Sequence, residues 1–167
     1  MTAYSRLMKI TADVTLQAAI LCFLLMMLCG GAQVLSRYVF NMSLDWTEEV
    51  ARFMFIAVTL LGSALCVRNM GHINVDLVVL RLPAKIQRQT AVLVLAANGA
   101  LFMVIFWYGI EISLATMEQL APATGVPMGL VYAAVPLGGL LMLLFLVEQG
   151  LNMRRAKDDA AHKGGTP

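Results

Sequence analysis

Ionisable side chains held inside a bilayer mark proton relays, ion paths and haem sites. The placement of Asp, Glu, Lys, Arg and His therefore decides what chemistry this chain can carry. Asp45, Glu48, Glu49 and Arg52 crowd into one run, Asp45-Trp46-Thr47-Glu48-Glu49-Val50-Ala51-Arg52. Arg68, His72 and Asp76 make a second group around Gly71-His72-Ile73-Asn74-Val75-Asp76-Leu77, and Glu111 and Glu118 stand apart from both. Between these groups, Val14–Ser36, Phe53–Val67, Gln89–Ile110 and Gln119–Val147 contain no Asp, Glu, Lys, Arg or His. A haem held between helices needs axial ligands within such stretches, and a proton-driven exporter needs a carboxylate there. Asn98 is the one strongly polar side chain near the middle of a stretch, and its expected role is an interhelical hydrogen bond worth about 1 kcal/mol. Cys22, Cys29 and Cys66 show no metal-ligand spacing and read as small packing residues. No catalytic residue, cofactor site or metal site is expected.

The elements that must position these groups follow from composition. Of 167 residues, 60% are hydrophobic and only 13% charged, against about a quarter charged in soluble domains. Crossing a bilayer core takes roughly 20 apolar residues. Three of the uncharged stretches meet that length. The fourth, Phe53–Val67, is short, but Asp45 and Glu48 have the spacing of a capping box, and a helix starting near Thr47 lengthens it enough to cross. The expectation is an all-α integral membrane protein, one domain of four transmembrane helices at about 14–36, 47–67, 89–110 and 127–147. Short interfacial helical segments and a charged, disordered tail over 149–167 complete it. The first stretch is too long for a signal-peptide core, and Leu28 before Cys29 does not suit a lipoprotein signal, so it is expected to be a retained helix. A net charge of +2 gives no reason to expect a nucleic-acid partner.

Basic residues set the orientation. Arg6 and Lys9, then Arg68, Arg81, Lys85 and Arg88, then Arg154, Arg155, Lys157 and Lys163 fall on one side of a four-span chain. Only Arg37 and Arg52 fall on the other. Lys and Arg in short loops stay cytoplasmic, which predicts both termini inside. Asp45, Glu48, Glu49 and Arg52 then form an outer structural cluster, in which Arg52 shares a helix face with Glu48 and Glu49, and Trp46 sits at headgroup depth. On the inner side, Arg68, His72 and Asp76 are candidates for loop fixation or partner contact. Cys29-Gly30-Gly31-Ala32 reads as a helix-packing face. Pro127 suits the first turn of the last span, and Pro136 with Gly138-Gly139 should bend it. With so little polar chemistry inside the membrane, the economical reading is an accessory subunit whose helices pack against a larger partner.

Three loop motifs then carry a resemblance. Arg37-Tyr38-Val39-Phe40-Asn41 followed by Trp46-Thr47-Glu48-Glu49-Val50-Ala51-Arg52 resembles the small membrane subunit of tripartite ATP-independent periplasmic (TRAP) transporters, the DctQ family. So do Gly71-His72-Ile73 with Val75-Asp76-Leu77, and Gly125-Val126-Pro127-Met128-Gly129 with Tyr132 and Pro136. The resemblance runs from Gln33 to the end of the last span. It implies a scaffold in the bacterial inner membrane for a large multi-span subunit, which takes up an organic acid or similar small polar solute with sodium. A periplasmic binding protein would deliver that solute. It marks Arg37, Gly125 and Pro127 as further outer contact positions and Gly71 as an inner one. Two other readings stay open: a stand-alone dimeric exporter, for which Glu111 and Glu118 are the carboxylates to test, and a membrane anchor for a redox enzyme.

Overall fold

The computed structural model describes residues 3–70 and 84–163, all of the regular structure among them being helical apart from an isolated bridge. The helices are α1 (Ala3–Val39), α2 (Asp45–Met70), α3 (Ala84–Ala115), the single turn-and-a-half α4 (Met128–Tyr132) and α5 (Ala134–Lys163). Four apolar spans long enough to cross a membrane lie at Arg6–Val39, Asp45–Asn69, Val92–Ala115 and Met128–Leu151. The protein is thus all-α with four membrane-crossing helices.

Several boundaries differ from the sequence reading. α1 starts at Ala3 rather than near Val14, because residues 3–13 contain no Gly or Pro and bury Met8 and Ala12. α2 starts at Asp45, which places that residue inside the first turn. The Asp45 carboxylate accepts from the Ser43 hydroxyl, and both the Thr47 hydroxyl (2.6 Å) and its N–H (3.0 Å) donate to the Leu44 carbonyl. The capping box is therefore not formed, and Glu48 is free to reach elsewhere. α5 runs through to Lys163, across residues expected to be disordered, with no Gly or Pro between Gly150 and Gly164 to stop it. Gly71, His72 and Asp76, and the inner-surface segment expected there, lie outside the described residues.

Packing order is α1 on α2, α2 on α5, and α5 on α3, with α4 folded against α3. The result is a row of helices and not a closed four-helix bundle. The α1–α2 contact is a long seam. Met8, Ala12, Thr15, Ala19, Cys22, Met26, Cys29, Gln33 and Ser36 are the buried or half-buried positions of α1 along it, and their spacing alternates between four and three. That is the repeat by which a helix keeps one edge on a neighbour. Cys29 sits in the seam, but Gly30 and Gly31 have nothing within 4 Å of an added Cβ. Among the described residues, the space beside Gly30 and Gly31 is therefore open, and Ala32 is exposed. Ala12, Ala64, Phe102, Met142, Phe145 and Leu146 gather all four long helices into one core cluster.

The closest helix contacts are made by glycine. A Cβ on Gly138 would stand 2.8 Å from Leu60 Cβ in α2, and one on Gly139 would stand 3.0 Å from the Phe106 backbone N in α3. A Cβ on Gly109 would stand 2.9 Å from Cδ of the Pro136 ring. Pro136 lacks an N–H and crowds the Tyr132 carbonyl, which accounts for the interruption at Ala133 between α4 and α5. Pro127 is the N-cap of α4 and precedes its first helical residue, Met128. Gly129 is the tightest point, where a Cβ would lie 2.4 Å from the Ser113 carbonyl oxygen. We expect Gly129→Ala to destabilise the detergent-purified chain by about 1–3 kcal/mol through overpacking against backbone. Gly62→Ala, whose Cβ meets open space, should be neutral or stabilising by up to about 1 kcal/mol through helix propensity. Thermal unfolding of the two variants side by side checks both.

Candidate functional site: two polar ties on the second helix

α2 carries ionised side chains at both ends and apolar ones between, and each end is fastened to a neighbour. At the end holding the α1–α2 turn, Glu48 accepts from Arg52 Nη2 at 3.0 Å and from Gln33 Nε2 of α1 at 3.1 Å. Arg52 and Glu48 side chains remain 66% and 56% exposed, so the ion pair alone adds little stability. Glu49, one residue on, points a different way. Its Oε1 accepts from the Ala123 N–H at 2.9 Å, and its Oε2 accepts from both the Thr124 N–H and the Thr124 hydroxyl at 2.9 Å.

The loop that meets Glu49 is shaped for it. Met128 N–H donates to the Gln119 carbonyl at 2.7 Å and Ala121 N–H to the Val126 carbonyl at 2.9 Å, closing the loop on itself. Gly125 completes the turn at φ +68°, a conformation in which a Cβ is strained. Ser113 then donates to the buried Gly129 carbonyl at 2.7 Å. With the loop closed in this way, successive backbone N–H groups at 123 and 124 face a carboxylate, an arrangement suited to holding an anion.

At the opposite end, Arg68 Nε donates to Glu148 Oε2 of α5 at 3.2 Å, and the guanidinium lies 5.7 Å from the Phe145 ring centre. These side chains are 27% and 13% exposed, far less than the Arg52–Glu48 pair. Partial burial raises the cost of separating them. Asn98 is half buried on α3. Gly99 approaches Leu146, and Gly150 approaches Leu95, which sets Asn98 beside the turn of α5 that bears Glu148. The apolar residues Val92–Ala115 of α3 form its membrane-crossing stretch.

The remaining outer candidates are spread over the surface. Arg37 is exposed in the last turn of α1, where a cation suits the helix dipole. Trp46 is half exposed beside the turn, and Asp45 is exposed. Glu48, Arg52 and Glu49 are brought to one end of α2, but Arg52 pairs with Glu48 by hydrogen bond and Glu49 is used by the loop. Gln33, Ala123, Thr124 and Glu148 were not foreseen as partners. Glu148 had a signal: it and Arg68 each close an uncharged stretch on the same side of the membrane. Cys66 is exposed on α2 and not packed as a core residue, while Cys22 and Cys29 are half buried.

Four apolar helices long enough to cross a membrane, with polar ties at both ends of α2, define an integral-membrane helical protein. The family model for the DctQ component of tripartite ATP-independent periplasmic transporters matches residues 26–156, and the chain belongs to that family. It is 29% identical over 75% of its length to the sialic acid TRAP transporter permease protein SiaT of Haemophilus influenzae. It is 30% identical over 62% of its length to the isethionate TRAP transporter permease protein DctMQ of Oleidesulfovibrio alaskensis. The C4-dicarboxylate TRAP transporter small permease protein DctQ of Rhodobacter capsulatus is 30% identical over 75% of this chain and 56% of its own length. Of the first two relatives the chain spans only 21% and 16%. The family is one of transporters and not of enzymes.

Two outcomes follow from the ties. Glu49→Ala should speed hydrogen exchange at the Ala123 and Thr124 amides about tenfold or more, since their acceptor is lost, while Glu48→Ala leaves them unchanged. Glu148→Ala should lower stability by about 1–3 kcal/mol, and the charge-swapped pair Arg68→Glu with Glu148→Arg should recover part of that loss in a thermal unfolding assay.

Proposed function

We propose that this chain is the stationary scaffold of a TRAP-type secondary transporter, set in the bacterial inner membrane with both termini cytoplasmic. The observation that carries the reading is the row itself: long helices fastened edge to edge, tied at both membrane boundaries through α2. Such a wall supplies what a moving transport domain needs, a fixed counterpart held in the bilayer plane. Trp46 and Tyr38 lie exposed at the turn end, where aromatic rings anchor depth and tilt. Supporting the partner assignment, the two longer relatives contain a segment like this chain as a small part of one permease polypeptide. The partner is accordingly a large multi-span permease subunit that moves the solute.

The solute is an organic acid or similar small polar compound, taken up with sodium and handed over by a periplasmic binding protein. Relatives named for sialic acid, isethionate, C4-dicarboxylates and ectoine support a small polar solute, and their variety leaves its choice to the large subunit and the binding protein. Of the outer cluster, Asp45, Glu48 and Arg52 are the exposed members available to a partner, while Glu49 is occupied by the loop. Purification through a tag in mild detergent from native membranes, with mass spectrometry of what co-elutes, tests the reading. A polytopic permease at fixed stoichiometry is the expected result. Accumulation of a solute by vesicles containing this chain alone would overturn it.

A further inference from the structure

The subunit reading leaves Glu111 without a task. This residue lies within the apolar span Val92–Ala115 of α3, is exposed, and has no hydrogen bond or ion pair with any described residue. Its level along the row follows from two glycine contacts. Gly138 and Gly139 bring Leu60 of α2 and Phe106 of α3 against one turn of α5. Counted along the helices toward the 119–128 loop, Glu111 stands about 7.5 Å beyond that turn and Arg52 about 12 Å beyond it. Glu111 is thus nearer the middle of the helices than the Arg52–Glu48 pair. The sequence supplies no cation nearby, since no Lys, Arg or His occurs between Arg88 and Arg154. Arg52 is spent on Glu48, and α5 stands between α2 and α3 in the row. What the same face of α3 does offer is aromatic. Trp107 and Tyr108, one turn back from Glu111, are 67% and 58% exposed, with Val104, Ile112 and Leu114 exposed around them.

A carboxylate on the outward side of an apolar helix is costly unless a cation meets it. The ligand must therefore bring positive charge and N–H donors to Glu111. It must also bring an apolar body to cover Val104, Ile112 and Leu114. Exposed tryptophan and tyrosine rings add attraction for an ammonium group in particular. We propose that Trp107, Tyr108 and Glu111 form a binding site for a phospholipid with a primary-ammonium headgroup, of the ethanolamine kind. The ammonium donates to the Glu111 carboxylate beside the two rings, and the Tyr108 hydroxyl can donate to the adjoining phosphate. The acyl chains then lie along the exposed apolar side chains of α3. A soluble amine would leave those side chains uncovered, and an anionic lipid would bring no cation. The site requires only that α3 cross a membrane, so it stands apart from the partner assigned above.

The test reconstitutes the full chain in vesicles of equal phosphatidylethanolamine and phosphatidylglycerol and reads retained lipid by native mass spectrometry. The chain should retain phosphatidylethanolamine over phosphatidylglycerol by about tenfold, as a charge-assisted contact beside aromatic rings implies. Glu111→Gln should bring that preference close to parity, and Trp107→Leu should lower it about threefold. Glu118→Gln, in the turn after α3, should leave it unchanged. Equal retention of the two lipids by the parent chain would overturn the proposal, as would a preference that survives Glu111→Gln. A second measurement works in native membranes, with a photo-crosslinking residue at Leu114. Lipid adducts are the expected product. Adducts to a protein without any lipid adduct would give Glu111 to a basic side chain of that protein and remove the lipid site. A lipid preference in a chain that never co-purifies with a large permease would sustain this site while removing the subunit reading.

Discussion

In a row of helices one helix thick the core is small, so order depends on what fixes the middle members to both neighbours. α2 meets that requirement with three carboxylate or guanidinium groups. Glu48 reaches Gln33 on α1, Glu49 holds the loop that leads into α4, and Arg68 holds Glu148 on α5. Each contact joins residues distant in the chain and near in space. Because α2 is fastened to the 119–128 loop at one end and to α5 at the other, it cannot shift along α5 by a turn without breaking the Arg68–Glu148 tie. The seam with α1 adds length where those ties add register.

Much of the fold was legible because hydrocarbon excludes charge. The four uncharged stretches mark where helices must cross, and the structure has a span at each. Their ends were less legible. Charge-free length gives the least a helix can be, and α1 extends beyond it since Arg6, Lys9 and Asp13 cost nothing at or outside the headgroups. The site was legible in residue type more than in partnership. Glu48 and Arg52 pair as their spacing on one helix requires, but Glu49 turns to Thr124, and no local rule links positions so far apart in sequence. The close approach of Gly99 to Leu146 and of Gly150 to Leu95 across the α3–α5 contact shows the same limit, since no local pattern pairs those positions. The open Cβ space at Gly30 and Gly31 likewise depends on which neighbours arrive.

Family membership sharpens how the loop at 119–128 should be understood. Gly125, Pro127 and Gly129 were grouped by resemblance, and the structure assigns each a different physical task. Gly125 takes the left-handed turn, Pro127 caps α4, and Gly129 permits its carbonyl to meet Ser113. Together they bring the 123 and 124 amides to Glu49. The acidic residue on α2 and the glycine-rich loop are thus two halves of one fastening. A motif pair far apart in the chain reflects a single contact in space.

The division of labour along the membrane normal follows from dielectric. An ion pair in mid-hydrocarbon carries a desolvation cost that its mutual attraction recovers only with excellent geometry, while one in full water is screened to little effect. Arg68 and Glu148 sit between those limits, mostly covered yet at the end of the apolar span, with the Phe145 ring beneath the guanidinium. Between the two polar ends, where charge is excluded, helices are held by close approach instead, at Gly138 on Leu60, Gly139 on Phe106 and Gly109 on Pro136. Dispersion over short contacts needs no charge and loses nothing to lipid, which offers only looser packing. Electrostatic fastening at the boundaries and glycine-mediated contact in the interior are the two means by which so apolar a chain can hold one arrangement.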